Sequence, residues 1–279
     1  MISDVHHVGI AVRDMAQARR FFSDALSLPV VLEGESEERG AEVALLAVGG
    51  SYLELVQPTS GASPFASHIA ERGEGLHHVG LATDDVESLV ASLRERGVPL
   101  QDETPRRGFT GRLSYLAPEA FDGALLEVVQ PDELAGPGDD TPVTRIDHVV
   151  LRLPDVGGAC DRMRDYFGIE TKRTFERGET RFSFLRPGDV IMELIGPATP
   201  PEDPRPGSVA GLAFECTGID ALTAALKAKG YPIGEPHPAL QGGRIVSVHA
   251  GGPDGLPSGG ACGVPVAFVD FSGSPRADA

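Results

Sequence analysis

Apolar and polar positions alternate along the chain in short runs that return in the same order. Residues 5–12 read Val-His-His-Val-Gly-Ile-Ala-Val, and residues 76–82 read Leu-His-His-Val-Gly-Leu-Ala. Runs of this length and spacing predict strands. Each is followed by an aspartate placed to cap a helix, Asp14 in the first case and Asp84 or Asp85 in the second. Helical spacing then takes over. Ala18, Phe21, Phe22 and Ala25 share one face; Val86, Leu89, Val90 and Leu93 share another, with Gly97 ending that helix. More strands follow, and the last of each set is Ser-Tyr-Leu-Glu-Leu-Val-Gln-Pro at 51–58 and Ala-Leu-Leu-Glu-Val-Val-Gln-Pro at 124–131. The predicted unit is β-α-β-β-β.

The unit returns twice more. Ile146-Asp147-His148-Val149-Val150-Leu151 opens a third copy, Asp155 can cap its helix, and Val190 to Ile195 closes it. A fourth opens at Gly211-Leu212-Ala213-Phe214. Its helix, Ile219 to Gly230, aligns without gaps on Val86 to Gly97, and Val266 to Phe271 is its last strand. Repetition at this scale sets the architecture: an α+β fold of four β-α-β-β-β modules in two pairs. The domain reading is 1–131, a Pro/Gly/Asp-rich linker at 132–145, 146–273, and a tail at 274–279.

Composition narrows the function classes. The chain has 279 residues and a net charge of −17, which disfavours nucleic acid as a partner. An anionic substrate would need a local basic patch, and Arg106, Arg107 and Arg112 form the best candidate. No apolar run is long enough to cross a bilayer, and no signal peptide is visible, so a cytoplasmic location and no membrane partner are expected. Cys160, Cys216 and Cys262 are scattered and odd in number, as expected of reduced thiols. Neither a Gly-x-Ser-x-Gly elbow nor a phosphate-binding Gly-Lys-Ser/Thr loop occurs.

The repeat carries candidate chemistry. His7 and His78 open the first two modules, and Glu54 and Glu127 lie mid-way along their last strands. Both glutamates interrupt strongly apolar strands, where an unpaired carboxylate is costly to bury. Two imidazoles and two carboxylates around one divalent ion would satisfy all four groups, and the set suits Zn, Ni, Co, Fe or Mn. If His7 and His78 face a cavity, strand alternation turns Gly9 and Gly80 the same way, leaving room for a ligand. His6 and His77 then face the other way as structural residues.

With these motifs the chain resembles the vicinal oxygen chelate superfamily, which includes glyoxalase I, methylmalonyl-CoA epimerases, extradiol dioxygenases and bleomycin-resistance proteins. The resemblance spans the chain as fold. It is most specific over 5–131, where Gly73 to His78, Pro105 to Gly108 and Gly123 to Glu127 are similar to epimerase patterns. It implies that each pair of modules forms a half-open mixed β-sheet cup with helices outside. It also implies one divalent metal ion on His7, Glu54, His78 and Glu127. Departures exist: epimerases often have Gln where Glu54 stands, and Ala117-Pro118 replaces a common His-Pro. The second carboxylate some epimerases use has its nearest match in Glu42, although a gapless alignment puts Val43 there. The same template applied to the second pair gives His148, Glu193, Gly211 and Asp270. Gly211 breaks that site, with His237 or His249 as loop substitutes, so this pair is read as a degenerate partner or a pocket for part of the substrate.

The resemblance implies a metal-dependent isomerase or lyase that moves a proton beside a metal-polarised carbonyl in epimerisation, isomerisation, dehydration or cyclisation. Glu127, Glu54 and Glu42 are the candidate proton carriers, and Arg106, Arg107 and Tyr52 the candidate substrate contacts. The expected substrate is a small carbonyl compound, an acyl-CoA or a natural product. The chain would act as a monomer that is its own pseudo-dimer, or as a homodimer. The competing expectations are an Fe(II)-dependent extradiol-type dioxygenase and a non-catalytic drug-binding resistance protein.

Overall fold

The computed structural model describes residues 1–136, 141–248 and 261–273. Sixteen strands build two eight-stranded mixed sheets among those residues. The first module contributes β1 (Ile2–Ala11), β2 (Val30–Ser36), β3 (Ala41–Val48) and β4 (Ser51–Pro58). The second contributes β5 (Gly75–Thr83), β6 (Arg106–Arg107), β7 (Gly111–Tyr115) and β8 (Leu125–Pro131). They join in the order β2-β3-β4-β1-β5-β8-β7-β6. The third module supplies β9 (Val143–Arg152), β10 (Thr171–Arg177), β11 (Thr180–Leu185) and β12 (Ile191–Pro197). The fourth supplies β13 (Ser208–Cys216), β14 (His237–Pro238), β15 (Arg244–Val248) and β16 (Val266–Asp270). Their order, β10-β11-β12-β9-β13-β16-β15-β14, repeats the first sheet's topology strand for strand. The first sheet curls into a half-barrel, and the α+β expectation holds.

Helices follow the predicted caps. Asp14 accepts from the Gln17 N–H, Asp85 from Ser88 and Asp155 from Gly158, opening α1 (Met15–Arg19), α3 (Val86–Glu95) and α4 (Val156–Phe167). The fourth module starts its helix, α5 (Ile219–Ala228), from Gly218 in a left-handed conformation without a side-chain cap. The first helix departs from regular spacing: after α1 the chain passes into a π-helical turn at Arg20–Ala25 that buries Phe21, Phe22 and Ala25. One more helix, α2 (Pro64–Arg72), joins the first two modules and was not part of the repeat pattern. Among the described residues no helix is long and apolar enough to cross a membrane.

Contacts divide the chain into two compact units that do not follow its linear order: Met1–Val8, His78–Glu133 and His148–Ala210 form one, and Gly9–His77, Leu134–Asp147 and Gly211–Ala279 the other. Within the first, Arg162 pairs with Asp122, and the Arg96 guanidinium donates to the carbonyls of Asp165 and Tyr166. Within the second, Tyr231 packs edge-on to Phe21 and donates to the Arg20 carbonyl, and Arg145 pairs with Glu215.

A shared device locks the last strand of the first, second and fourth modules to that module's own helix. Gln57 accepts a hydrogen bond from the Met15 N–H, Gln130 from Val86 and Asp270 from Ile219. Each acceptor closes a strand onto the exposed N–H groups of a helix start, which otherwise lack partners.

Candidate metal centre

Strand pairing brings the predicted ligands to one face. In the parallel pair β5–β8 His78 stands beside Leu125 and Gly80 beside Glu127, so His78 and Glu127 point the same way. His7 and His78 approach with Nε2 atoms 3.0 Å apart. The Glu127 carboxylate lies 3.5 Å from the Nε2 of His7 and 3.9 Å from that of His78. β4 lies beside β1 in the sheet, and the ligating atoms of His7, Glu54 and His78 all fall within 4.8 Å of one another. His7 and His78 are 0% exposed, Glu127 1% and Glu54 8%.

Burial sets the electrostatics. Loss of solvent holds the His7 imidazole well below its ordinary pKa, and the neighbouring His6 lowers it further. The same cause brings His6 down to about 4. Burial pushes Glu54 up to about 7, against the opposing pull of Arg39. Neutral imidazoles are the form that binds a metal. A dry nook with two such rings and two carboxylates is costly in itself, and a divalent cation would offset that cost. By their donor chemistry the four side chains fit one such ion.

The glycine beside the site has a different use from the one expected. A Cβ on Gly80 would lie 2.3 Å from Cε1 of His7 and 2.6 Å from its Nδ1. The space left by Gly80 is filled by the His7 imidazole rather than kept for a ligand. His6 adds a close contact, its Nδ1 2.8 Å from that of His7. His77 packs against Phe65 and His68, with ring centroids 4.8 and 4.6 Å away.

The remaining candidates divide by face. Glu42 stands opposite Gln57, one step out of phase with the Leu45–Glu54 pair, so it points to the other side of the sheet from Glu54, and Val43 takes the inward place. Tyr52 shares Glu54's face and donates to the Ala135 carbonyl at 3.4 Å. Arg106 stands opposite Leu113, on the face of Tyr115 and Glu127, and is paired with Asp102 at 3.2 Å. Arg107 and Arg112 oppose each other on the reverse face, bound to Asp132 and Glu87. The three arginines therefore do not form one patch.

Tyr115 went unnoticed in the sequence. It stands opposite Glu127, packs edge-on to His78 with centroids 5.2 Å apart, and lies under the Arg106 guanidinium at 5.9 Å. Counting back from the strand ending Glu127-Val-Val-Gln130 would have paired it with Glu127; its own strand carries no repeat to flag it.

In the second sheet His148 and Glu193 lie on one face, Nε2 to Oε2 3.7 Å. Asp270 is not the counterpart of Glu127. Gly80 pairs with Glu127, and Ala213, two residues after Gly211 as Gly80 is after His78, pairs with Ala267. Ala267 holds the carboxylate's place, and Asp270 matches Gln130, whose helix-capping task it performs. The fourth module thus lacks both ligand types. His237 is exposed on β14, and His249 lies outside the described residues.

The profile of the glyoxalase/bleomycin resistance protein/dioxygenase superfamily matches the chain twice, over residues 6–115 and 147–247. The chain belongs to that superfamily. An uncharacterized protein of Bacillus subtilis, YqjC, is 31% identical over 126 residues, 45% of this chain and 90% of the relative. Methylmalonyl-CoA epimerase of Bos taurus is 29% identical over 128 residues, 45% of this chain and 73% of the enzyme. A solved variant of 4-hydroxymandelate synthase from Streptomyces coelicolor superimposes with a TM-score of 0.71 over 96% of this chain and 92% of its own. At 16% identity that likeness shows a common fold. For this superfamily member the first sheet alone keeps the full His-Glu-His-Glu set among the described residues.

Proposed function

We propose that this protein is a metal-dependent enzyme that moves a proton beside a carbonyl group, with its active site on the first sheet. The observation that carries the reading is the convergence of His7, Glu54, His78 and Glu127 in a dry site. Similarity to a methylmalonyl-CoA epimerase supports it. His7, Glu54, His78 and Glu127 would hold a divalent cation, which would supply Lewis-acid polarisation of a substrate carbonyl. The chain's own residues do the rest. Glu127 and Glu54 are the carboxylates at the centre; one takes the proton, and for inversion the other delivers a proton to the opposite face of the carbon. Tyr115 and Gly80 hold the His78 and His7 rings in place, and burial keeps water from competing for the proton. Arg106 on the same face orients an anionic part of the substrate. The substrate class is a small carbonyl compound, an acyl-CoA or a natural product, and the reaction an epimerisation, isomerisation, dehydration or cyclisation.

The test has two parts. Metal analysis of the purified chain should find one divalent ion per molecule, lost when all four ligands are replaced by Ala. Incubation with methylmalonyl-CoA and related 2-substituted acyl-CoA thioesters in deuterium oxide should place deuterium at the carbon next to the carbonyl. Turnover retained by the fourfold variant would overturn the mechanism. Stoichiometric oxygen uptake by the Fe(II)-loaded protein would move it to oxygenation.

A further inference from the structure

Register makes the two sheets comparable position by position. Glu193 stands opposite Phe184, and Ile195 opposite Phe182. In the first sheet Glu54 stands opposite Leu45, and Val56 opposite Val43. Leu45 and Val43 are 0% and 4% exposed, yet the larger Phe184 and Phe182 in the same places are only partly buried. The edge strand β10 widens this open face, with Phe175 opposite Phe182 and Arg173 opposite Phe184. The reverse face, carrying Ser183, Leu185, Met192 and Leu194, is buried in the ordinary way.

The open face is ordered. Phe175 stacks on Phe182 at 5.1 Å and 17°, and on Phe184 at 5.9 Å and 22°. The Arg173 guanidinium sits 5.2 Å from the Phe175 centroid. Among the described residues no carboxylate pairs with Arg173, in a chain with 41 acidic and 24 basic residues. A cluster of partly buried phenyl rings that still reaches solvent on one face marks a contact surface. The cation at its outer end adds an anion-binding donor. At the inner end stands the His148–Glu193 pair, whose carboxylate repels a second one and turns a ligand's acid group towards Arg173.

We propose that this face binds a small planar aromatic carboxylate, its ring on the Phe175–Phe182–Phe184 platform and its acid group on Arg173. All six residues lie in one module and one compact unit. The site needs none of the four metal ligands and stands or falls apart from the metal-centre reading.

The probe is 2-naphthoate, titrated calorimetrically into the full chain beside its neutral analogue 2-naphthylmethanol. One equivalent of naphthoate is expected to bind, roughly tenfold or more tighter than the alcohol, the ratio expected of one charge-assisted hydrogen bond. Arg173→Met, at an exposed position, should bring the two ligands level. Phe182→Ala should weaken both, and His78→Ala neither. Absence of saturable binding would overturn the proposal, as would a preference for the acid that survives Arg173→Met. Binding lost in His78→Ala would place the ligand at the metal centre instead. Self-association abolished by Phe182→Ala would assign the face to a second copy of the chain.

Discussion

Replacing Gly80 by Ala adds one methyl group and replaces none of the four candidate ligands. In an ordinary strand the change would stabilise the protein by about 0.5–1 kcal/mol, because glycine loses more backbone freedom on folding. The φ at Gly80 is not in the left-handed region, so the backbone accepts alanine without strain. The new Cβ would, however, lie 2.3 Å from Cε1 and 2.8 Å from Nε2 of His7. That ring has little room to retreat, since His6 and His78 nitrogens stand 2.8 and 3.0 Å from its own. Overpacking of this kind costs about 1–3 kcal/mol. The balance is a net loss of about 0–2.5 kcal/mol together with a displaced imidazole. Misplacing a ligand's support costs roughly ten- to a hundredfold in metal affinity. Scanning calorimetry of the metal-free protein and a competition titration with a chromogenic chelator measure the two effects separately. The control is Gly50→Ala, where a Cβ meets nothing within 4 Å. A Gly80→Ala protein with parental melting temperature and metal affinity would refute the role given to this glycine.

Further outcomes follow from the same geometry. Tyr115→Phe should keep metal binding close to parental, because its contact with His78 is through the ring, whereas Tyr115→Ala should destabilise the protein by about 3–5 kcal/mol and weaken metal binding in a chelator competition. Asp270→Ala should cost about 1 kcal/mol at pH 7 through loss of the acceptor for the Ile219 N–H at the start of α5, measured by urea unfolding, with metal content unchanged. Burial raises this carboxyl, but bonds from Ser272 and Ile219 outweigh it and leave its pKa below 3.8. Its stabilisation is therefore present above that value and lost as pH falls through the folded pKa, so parent and variant should converge in acid. Burial pushes the Cys216 and Cys262 thiols up to about 12. A maleimide at pH 7.5 should modify Cys160 alone in the native protein, and all three cysteines in guanidinium, as read by intact mass.

Much of this was legible in the sequence, for a physical reason. The His-His-Val-Gly and Leu-Glu-Leu-Val-Gln-Pro runs fix both a strand period and a phase, so repetition alone placed the four candidate ligands on one side. Glu42 and Asp270 show where that logic stops. A carboxylate near the right place is not on the right face unless the register says so, and one residue or three residues of offset changes its task. Tyr115 and the Phe175–Phe182–Phe184 platform lie on strands whose partners are fixed only by sheet order. The π-helical turn at Arg20–Ala25 escaped because its apolar positions fit a regular helix equally well.

The hydrogen bonds that tie Gln57, Gln130 and Asp270 to the starts of α1, α3 and α5 have a consequence for breathing motions. Gln130 lies on the strand that carries Glu127, and its partner Val86 is the first residue of α3. Fraying of that helix start releases the strand end, and the Glu127 carboxylate loses its anchor with it. Amide protons of α3 and β8 should then exchange with solvent as one cooperative group, with a common opening free energy. Slow exchange across this pair would then rest on Gln130, which shares β8 with Glu127 but faces the helix start.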